Sequence, residues 1–171
     1  TYTPEELGDE IAMNDQFVKL EGGKAITLKV DPKTSWGKRY ICGPGFSLFD
    51  RASTIEANLD KVPVRRGKWE EVTEEKVTVP VNLIEDYYLM QTVESPKAQD
   101  ILLDVAAGNA IELFVNGVSV MKHNNPYRCK YREEKALVHL EKGFNVIVLR
   151  AYNRFEKETS LLLRPSAEQV I

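Results

Sequence analysis

This sequence has few cysteines, few histidines and a small net charge. The 171 residues include two cysteines and two histidines, and 23 basic against 26 acidic side chains leave a formal net charge of −3. Because charges of both signs are mixed along the chain, there is no basic field to attract phosphates, and nucleic acid is not an expected partner. No uncharged apolar run approaches the roughly 20 residues that a membrane-spanning helix needs, so no membrane span is predicted.

The two cysteines, Cys42 and Cys129, match neither the paired spacing of a zinc site nor a disulfide-rich scaffold. They could pair across two strands in an oxidising compartment, or both could be buried thiols. The sequence leaves these two alternatives open.

The N-terminal 20 residues are expected to form a short helix and a linker. Thr3-Pro4-Glu5-Glu6 combines an N-cap residue, a proline at the first helical position and the glutamate of a capping box. A chain with 43% hydrophobic residues at this length can build one sizeable core, so residues 21–171 are expected to be one domain. Because the chain begins at Thr1 without a signal segment, it is either a mature chain or part of a longer one, and of the two we expect an excised domain.

Strand-length runs separated by turns dominate the remaining sequence. The first clear strand prediction is 25–30, and the stretch 31–45 is loop-like, with short strands expected at 39–42 and 47–49. Later strands are predicted at 87–93, 100–106, 110–115, 118–121, 136–140, 145–151 and 160–163. This spacing without intervening helices predicts an all-β, antiparallel sandwich.

Two turns between these strands carry distinctive chemistry. Asn116-Gly117 lies between two apolar runs, and both residues accept the positive φ that a type I′ hairpin turn requires. Asn145 follows Gly143 directly before an apolar strand, where its side chain could cap the preceding turn.

Alternation of side chains assigns the faces of two strands. In 111–115 the odd positions are predicted to point into the core, while Glu112 faces out and Phe114 covers a second layer. In 146–149 both faces are apolar, which predicts a central strand covered on each side.

The order of several pieces between residues 87 and 164 is distinctive. A strand ending in small residues at 104–109 is followed by Val115-Asn116-Gly117, a loop with His123 and Tyr127, Leu140-x-x-Gly143-x-Asn145, and a strand closing at Tyr152-Asn153. This set resembles the galactose-binding-like, jelly-roll β-sandwich domains of bacterial glycoside hydrolases, which accompany β-galactosidases, rhamnosidases and α-L-fucosidases.

The resemblance implies a function as well as a fold. It implies a non-catalytic accessory domain, with an α-L-fucosidase-like enzyme as one candidate parent, whose partners are glycan, the parent catalytic domain or both. By the same resemblance the protein would be secreted or periplasmic, and the ligand would bind on loops at one end of the sandwich or on a concave sheet face. The alternative is a purely structural or protein-interaction sandwich, in which loop aromatics contact a neighbouring domain.

Two loops combine an aromatic ring with fixed hydrogen-bonding groups, which is the combination that sugar binding needs. The candidate glycan-binding residues are Trp36, Tyr40, His123, Asn124, Asn125, Tyr127 and Arg128. Arg128 could form bidentate bonds with vicinal hydroxyls or a carboxylate. The structural alternative is that Trp36 and Tyr40 cap the core and Tyr127 packs against a loop.

Neither catalysis nor a metal has a clear signature. The resemblance suggests a structural calcium, for which Glu21, Asp100 and Asp104 are conceivable donors, but no spaced acidic loop marks them. The acidic pairs, at 70–71, 74–75, 85–86 and 133–134, have the pattern of solvated strand edges. No phosphate loop or zinc-protease motif is present, so the chain is expected not to be an enzyme and to need no other cofactor.

Overall fold

A computed structural model describes residues 25–46, 69–82, 85–108, 110–124, 132–153 and 157–171. Within these ranges the regular secondary structure is entirely β. The strands are β1 (Ser35–Phe46), β2 (Trp69–Val72), β3 (Lys76–Pro80), β4 (Glu85–Ser95), β5 (Gln99–Ala107), β6 (Ala110–Val115), β7 (Val118–Asn124), β8 (Arg132–Leu140), β9 (Gly143–Asn153) and β10 (Glu158–Pro165). None of the described residues forms a helix long and apolar enough to cross a membrane. The helix expected over 1–20 lies outside the described residues.

The strands form two antiparallel sheets. The six-stranded sheet has the order β2-β1-β4-β9-β6-β7, and the four-stranded sheet has the order β3-β10-β5-β8. Side chains from both sheets share one hydrophobic core, which includes Leu89 and Leu149 from the first sheet and Leu103 and Leu161 from the second. The prediction of an all-β, antiparallel architecture is therefore confirmed.

The strands predicted after Pro80 are all present, but two predictions nearer the N-terminus are wrong. Residues 31–45 are not mainly loop, because β1 runs through Ser35–Phe46. Two shifts in register against β4 let this strand accommodate its glycines and Pro44. Residues 25–30 do not form a strand. Thr27 and Val170 make an isolated β-bridge, and backbone hydrogen bonds join Ile26 and Leu28 to residues 169–171 on either side of it. The strand expected at 47–49 lies outside the described residues.

The central strands of the six-stranded sheet, β4, β9 and β6, are buried on both faces. The outer face of this sheet carries a second hydrophobic cluster, made of Tyr88, Met90, Phe114, Val146 and Val148. The predictions that Phe114 covers a second layer and that β9 is a central, doubly covered strand are confirmed. Glu112 does point to this outer face, but it is not solvated as expected, since only 5% of it is exposed.

The two turns have the predicted chemistry. Asn116 and Gly117 have φ angles of 51° and 85°, as a type I′ hairpin requires. Asn145 caps the turn before β9: its Oδ1 accepts from the Glu141 N–H at 2.9 Å, and its Nδ2 donates to the carbonyls of Glu141 and Gly143 at 2.9 and 3.0 Å.

Candidate functional site

The two aromatic segments predicted to bind glycan are far apart in the six-stranded sheet. Trp36 pairs with Val93 of β4, whereas His123 is aligned through β6 and β9 with Tyr87 of β4. At about 3.3 Å per residue and about 4.8 Å per strand, Trp36 and His123 are separated by about 20 Å along the strands and about 19 Å across the sheet. The two residues therefore cannot contact the same small ligand.

Trp36 and Tyr40 also point to opposite faces of the six-stranded sheet. Trp36 packs on the main core, while Tyr40 packs on the outer cluster beside Met90. In a regular strand two residues four positions apart would share a face, but the register shift between Trp36 and Arg39 inserts one residue. These two rings therefore form no common stacking platform. Their partial burial against the two clusters matches the structural alternative.

His123 connects the two sheets. Its Nδ1 lies 2.6 Å from Glu134 Oε2, which joins β7 of one sheet to β8 of the other. About a third of the His123 side chain is exposed. Among the other candidates in this loop, Asn124 is the last residue of β7. The side chain of Asn124, and all of Asn125, Tyr127 and Arg128, lie outside what the structure describes.

The calcium candidates that the structure describes do not converge. Asp100 and Asp104 lie four residues apart on β5, which places them about 13 Å from each other, too far to share one cation. Asp100 contacts His139, with Oδ1 and Nδ1 separated by 2.7 Å. Over the described part of the chain, no three His, Cys, Asp or Glu side chains are grouped as metal ligands. Glu21 lies outside the described residues.

Both carboxylate oxygens of Asp104 accept hydrogen bonds from other side chains. Lys135 Nζ and Ser166 Oγ donate to Oδ1 at 2.5 and 2.6 Å, and Arg164 Nε donates to Oδ2 at 3.0 Å. Burial by itself would raise the pKa of Asp104, but the bonds from Lys135, Ser166 and Arg164 outweigh it, so the pKa is lowered. A carboxylate held in this way serves as a structural anion.

A cleft of about 300 Å³ opens between the two sheets where their edge strands β2 and β3 lie. Its lining consists of Ile41, Gly43, Glu70, Val79, Pro80 and Tyr87. Glu70 is opposite Ile41 in the β1–β2 pair, so both side chains point to the inner face of the six-stranded sheet. Val79 and Pro80, at the end of β3, form the wall contributed by the other sheet.

Gly43 and Tyr87 determine the shape of the cleft. Gly43 has φ 152°, and a Cβ atom there would lie 2.6 Å and 2.8 Å from two carbons of the Tyr87 ring. The Tyr87 hydroxyl donates to the Pro80 carbonyl at 2.8 Å, which joins the two sheets across the cleft. Burial, and secondly the charge of Glu85, raise the pKa of Tyr87, so its phenol stays neutral.

A buried ionic network lies on the opposite face of the six-stranded sheet. Arg150 is fully buried, and its Nε donates to Asp86 Oδ2 at 3.0 Å while its Nη1 donates to Glu112 Oε1 at 3.3 Å. Burial alone would lower the pKa of Arg150, but Tyr88, Asp86 and Glu112 outweigh it and the pKa is raised. The guanidinium therefore stays charged between its two carboxylates.

Sequence reasoning missed this network. The expectation that the 85–86 pair is solvated is wrong for Asp86, which is fully buried. The available signal was Arg150 itself, a charge within the apolar run of β9, at a position whose alternation matches Val146 and Val148. Its partners could not be identified in the same way, because they come from strands distant in sequence.

No protein-family model and no curated protein sequence matches the chain. Among solved structures, the chain is similar to the crystal structure of a β-glucosidase from Kluyveromyces marxianus in complex with glucose, with a TM-score of 0.41 and 11% sequence identity. The similarity covers 84% of this chain and 18% of that chain, so this chain spans less than a fifth of the β-glucosidase. A similarity at this level assigns neither fold nor function to this chain.

Proposed function

We propose that this chain is a non-catalytic accessory domain of a larger glycoside hydrolase, which binds glycan weakly or positions the catalytic domain. The finer assignments are part of the same proposal: a galactose-binding-like jelly roll, an α-L-fucosidase-like parent enzyme and an extracytoplasmic location. They rest on the ordered turn motifs of the sequence. The observation that carries the binding function is the cleft between the two sheets.

The cleft has the chemistry of a small sugar site. Sugars combine apolar ring faces with many hydroxyls, and their sites pair apolar walls with a few placed polar groups. Ile41, Val79 and Pro80 supply aliphatic surface, while Glu70 and the Tyr87 hydroxyl supply oxygens. Tyr87 is held by its bond to the opposite sheet, so this part of the site is formed before a ligand arrives.

Calorimetric titration of the protein with a panel of monosaccharides and oligosaccharides tests this proposal. We expect saturable binding in the millimolar range, and we expect Val79→Phe to abolish it by filling the cleft. Thr78→Phe is the matched control, because Thr78 is the exposed neighbour of Val79 and contacts Ser160 on the other face of the sheet. The absence of saturable binding across the panel would contradict the glycan-binding function.

A structural or protein-interaction role is the second candidate, because one end of the sandwich exposes apolar side chains. Val118 and Phe144 are 62% and 51% exposed, and they follow the two turns that meet at the end where Trp36 lies. Phe144 alternates with Val146 and Val148 on the outer face, whereas Val118 pairs with Val115 of the inner face, so this role assigns the contact to Phe144. This role predicts that Phe144→Glu weakens association with the catalytic domain of the parent enzyme, while Thr78→Glu leaves it unchanged. Equal association of both variants would argue against it.

A further inference from the structure

We infer that the cleft between β2 and β3 takes a single sugar ring that carries no acidic group, recognised through the hydrogen bonds that the sugar donates. This inference rests on the proposed glycan-binding function and specifies the ligand. It follows from the size of the cleft and from the hydrogen-bonding character of its side chains.

The size of the cleft sets the length of the ligand. A volume of about 300 Å³ is at the lower limit of ligand pockets, which span about 300–1,000 Å³. The walls come from β1, β2 and β4 on one side and from β3 on the other, so widening the cleft would require the two sheets to separate. One ring can be enclosed, and further rings of a glycan would remain outside.

The polar side chains of the cleft accept hydrogen bonds. The Tyr87 hydroxyl already donates its proton to the Pro80 carbonyl, so towards a ligand it offers lone pairs. Glu70 is a carboxylate, whose two oxygens provide about four acceptor sites, so a bond elsewhere in the protein does not exhaust it. A ligand that fits these groups must supply donors, as sugar hydroxyls do.

The same groups discriminate between ligands by charge. A carboxylate, sulfate or phosphate on the sugar would place an acceptor and a negative charge next to Glu70, which is unfavourable on both counts. An amine on the sugar would instead add a donor with the complementary charge. The expected order of affinity is therefore glucosamine at or above glucose, and glucose above glucuronate.

The first test measures how affinity depends on glycan length. We expect the dissociation constants of a monosaccharide and of its di- and trisaccharides to agree within about threefold, since only one ring is enclosed. An increase in affinity of tenfold or more with length would overturn the single-ring inference. In that case glycan binding itself would remain, so the proposed function would survive.

The second test compares Glu70→Gln with Glu71→Gln, its neighbour on the opposite face of β2, where Glu71 Oε2 lies 3.5 Å from Lys38 Nζ. We expect Glu70→Gln to reduce the preference for glucose over glucuronate at least fivefold, and Glu71→Gln to leave the preference unchanged. Equal preferences in both variants would overturn recognition at this cleft. Binding that survives Val79→Phe would place the glycan elsewhere, whereas no binding in any variant would reject the proposed function as well.

Discussion

Asn116 Nδ2 donates a hydrogen bond to Asn145 Oδ1 at 2.8 Å. Asn116 Oδ1 also accepts a hydrogen bond from the Val146 N–H at 2.9 Å, and the Asn116 backbone N–H donates to the Val146 carbonyl. The Asn116-Gly117 hairpin and the turn before β9 are therefore one hydrogen-bonded unit. The two turns on which the sequence resemblance depends stabilise each other, and they hold one end of the six-stranded sheet in register.

Replacing Asn145 should destabilise the protein strongly. Asn145 is fully buried and satisfies groups of Glu141, Gly143 and Asn116, so Asn145→Ala leaves several buried polar groups without their partner. We expect a loss of about 2–4 kcal/mol in the free energy of unfolding, measured by urea denaturation. Lys142→Ala, an exposed change in the same turn, is the control and should have little effect. Similar losses in both variants would contradict this role of Asn145.

Replacing Arg150 should destabilise the folded protein, because it would leave two buried carboxylates without their cation. Arg150→Met removes the cation that contacts Asp86 and Glu112 in a buried environment, and we expect a loss of about 3–5 kcal/mol. A triple variant that adds Asp86→Asn and Glu112→Gln to Arg150→Met neutralises both carboxylates. It should regain part of the lost free energy of unfolding. Thermal and urea unfolding would provide the comparison. A triple variant less stable than Arg150→Met would show that unbalanced charge is not the cause.

Stability at acid pH should depend on Asp104. Its pKa is lower in the folded protein than in the unfolded chain, so the unfolded state binds more protons as the pH falls. The stabilisation is fully present above the unfolded value of about 3.9 and is lost as the pH falls through the lower folded value. We expect Asp104→Asn to be less stable than the native protein at pH 7 and to show a smaller loss between pH 5 and pH 2.

Melting temperatures across this pH range would measure the effect. Asp100→Asn is the matched control on the same strand, because Asp100 is exposed. A native-like acid dependence in Asp104→Asn would argue against Asp104 as its source.

Replacing Gly43 should both destabilise the fold and close the cleft. A Cβ atom would overlap the Tyr87 ring, and a side chain at this positive φ is strained by about 1–3 kcal/mol. Gly43→Ala should lower the melting temperature and abolish sugar binding. Gly108→Ala is the control, since its Cβ would meet only Thr159 Oγ1 at an ordinary 3.5 Å. Unchanged stability in Gly43→Ala would show that the ring can move away.

The Cys42 thiol should be protected from reagents in the native state. Only 2% of Cys42 is exposed, so a reagent cannot reach its sulfur while the protein is folded. In a Cys129→Ser background we expect alkylation to follow global unfolding, with a rate that rises steeply in urea. Rapid modification of the native protein, followed by mass spectrometry, would contradict this expectation.

Local patterns in the sequence determined the class of the fold and most of its second half. The type I′ turn at Asn116-Gly117, the cap at Asn145 and the central position of β9 depend on neighbouring residues, so turn chemistry and alternation were sufficient to predict them. The same reasoning failed in β1, where bulges let glycines and a proline remain in a strand. A bulge depends on the partner strand, so no pattern within β1 reveals it.

Only the tertiary structure decided which polar residues act together. Asp86, Glu112 and Arg150 come from three strands, and their contact depends on the order of those strands in the sheet. The cleft likewise joins Glu70, Val79 and Tyr87 across two sheets. Spacing along the chain determines which face a side chain occupies, but the packing of the sheets determines which side chains meet, and the candidate binding site depends on that packing.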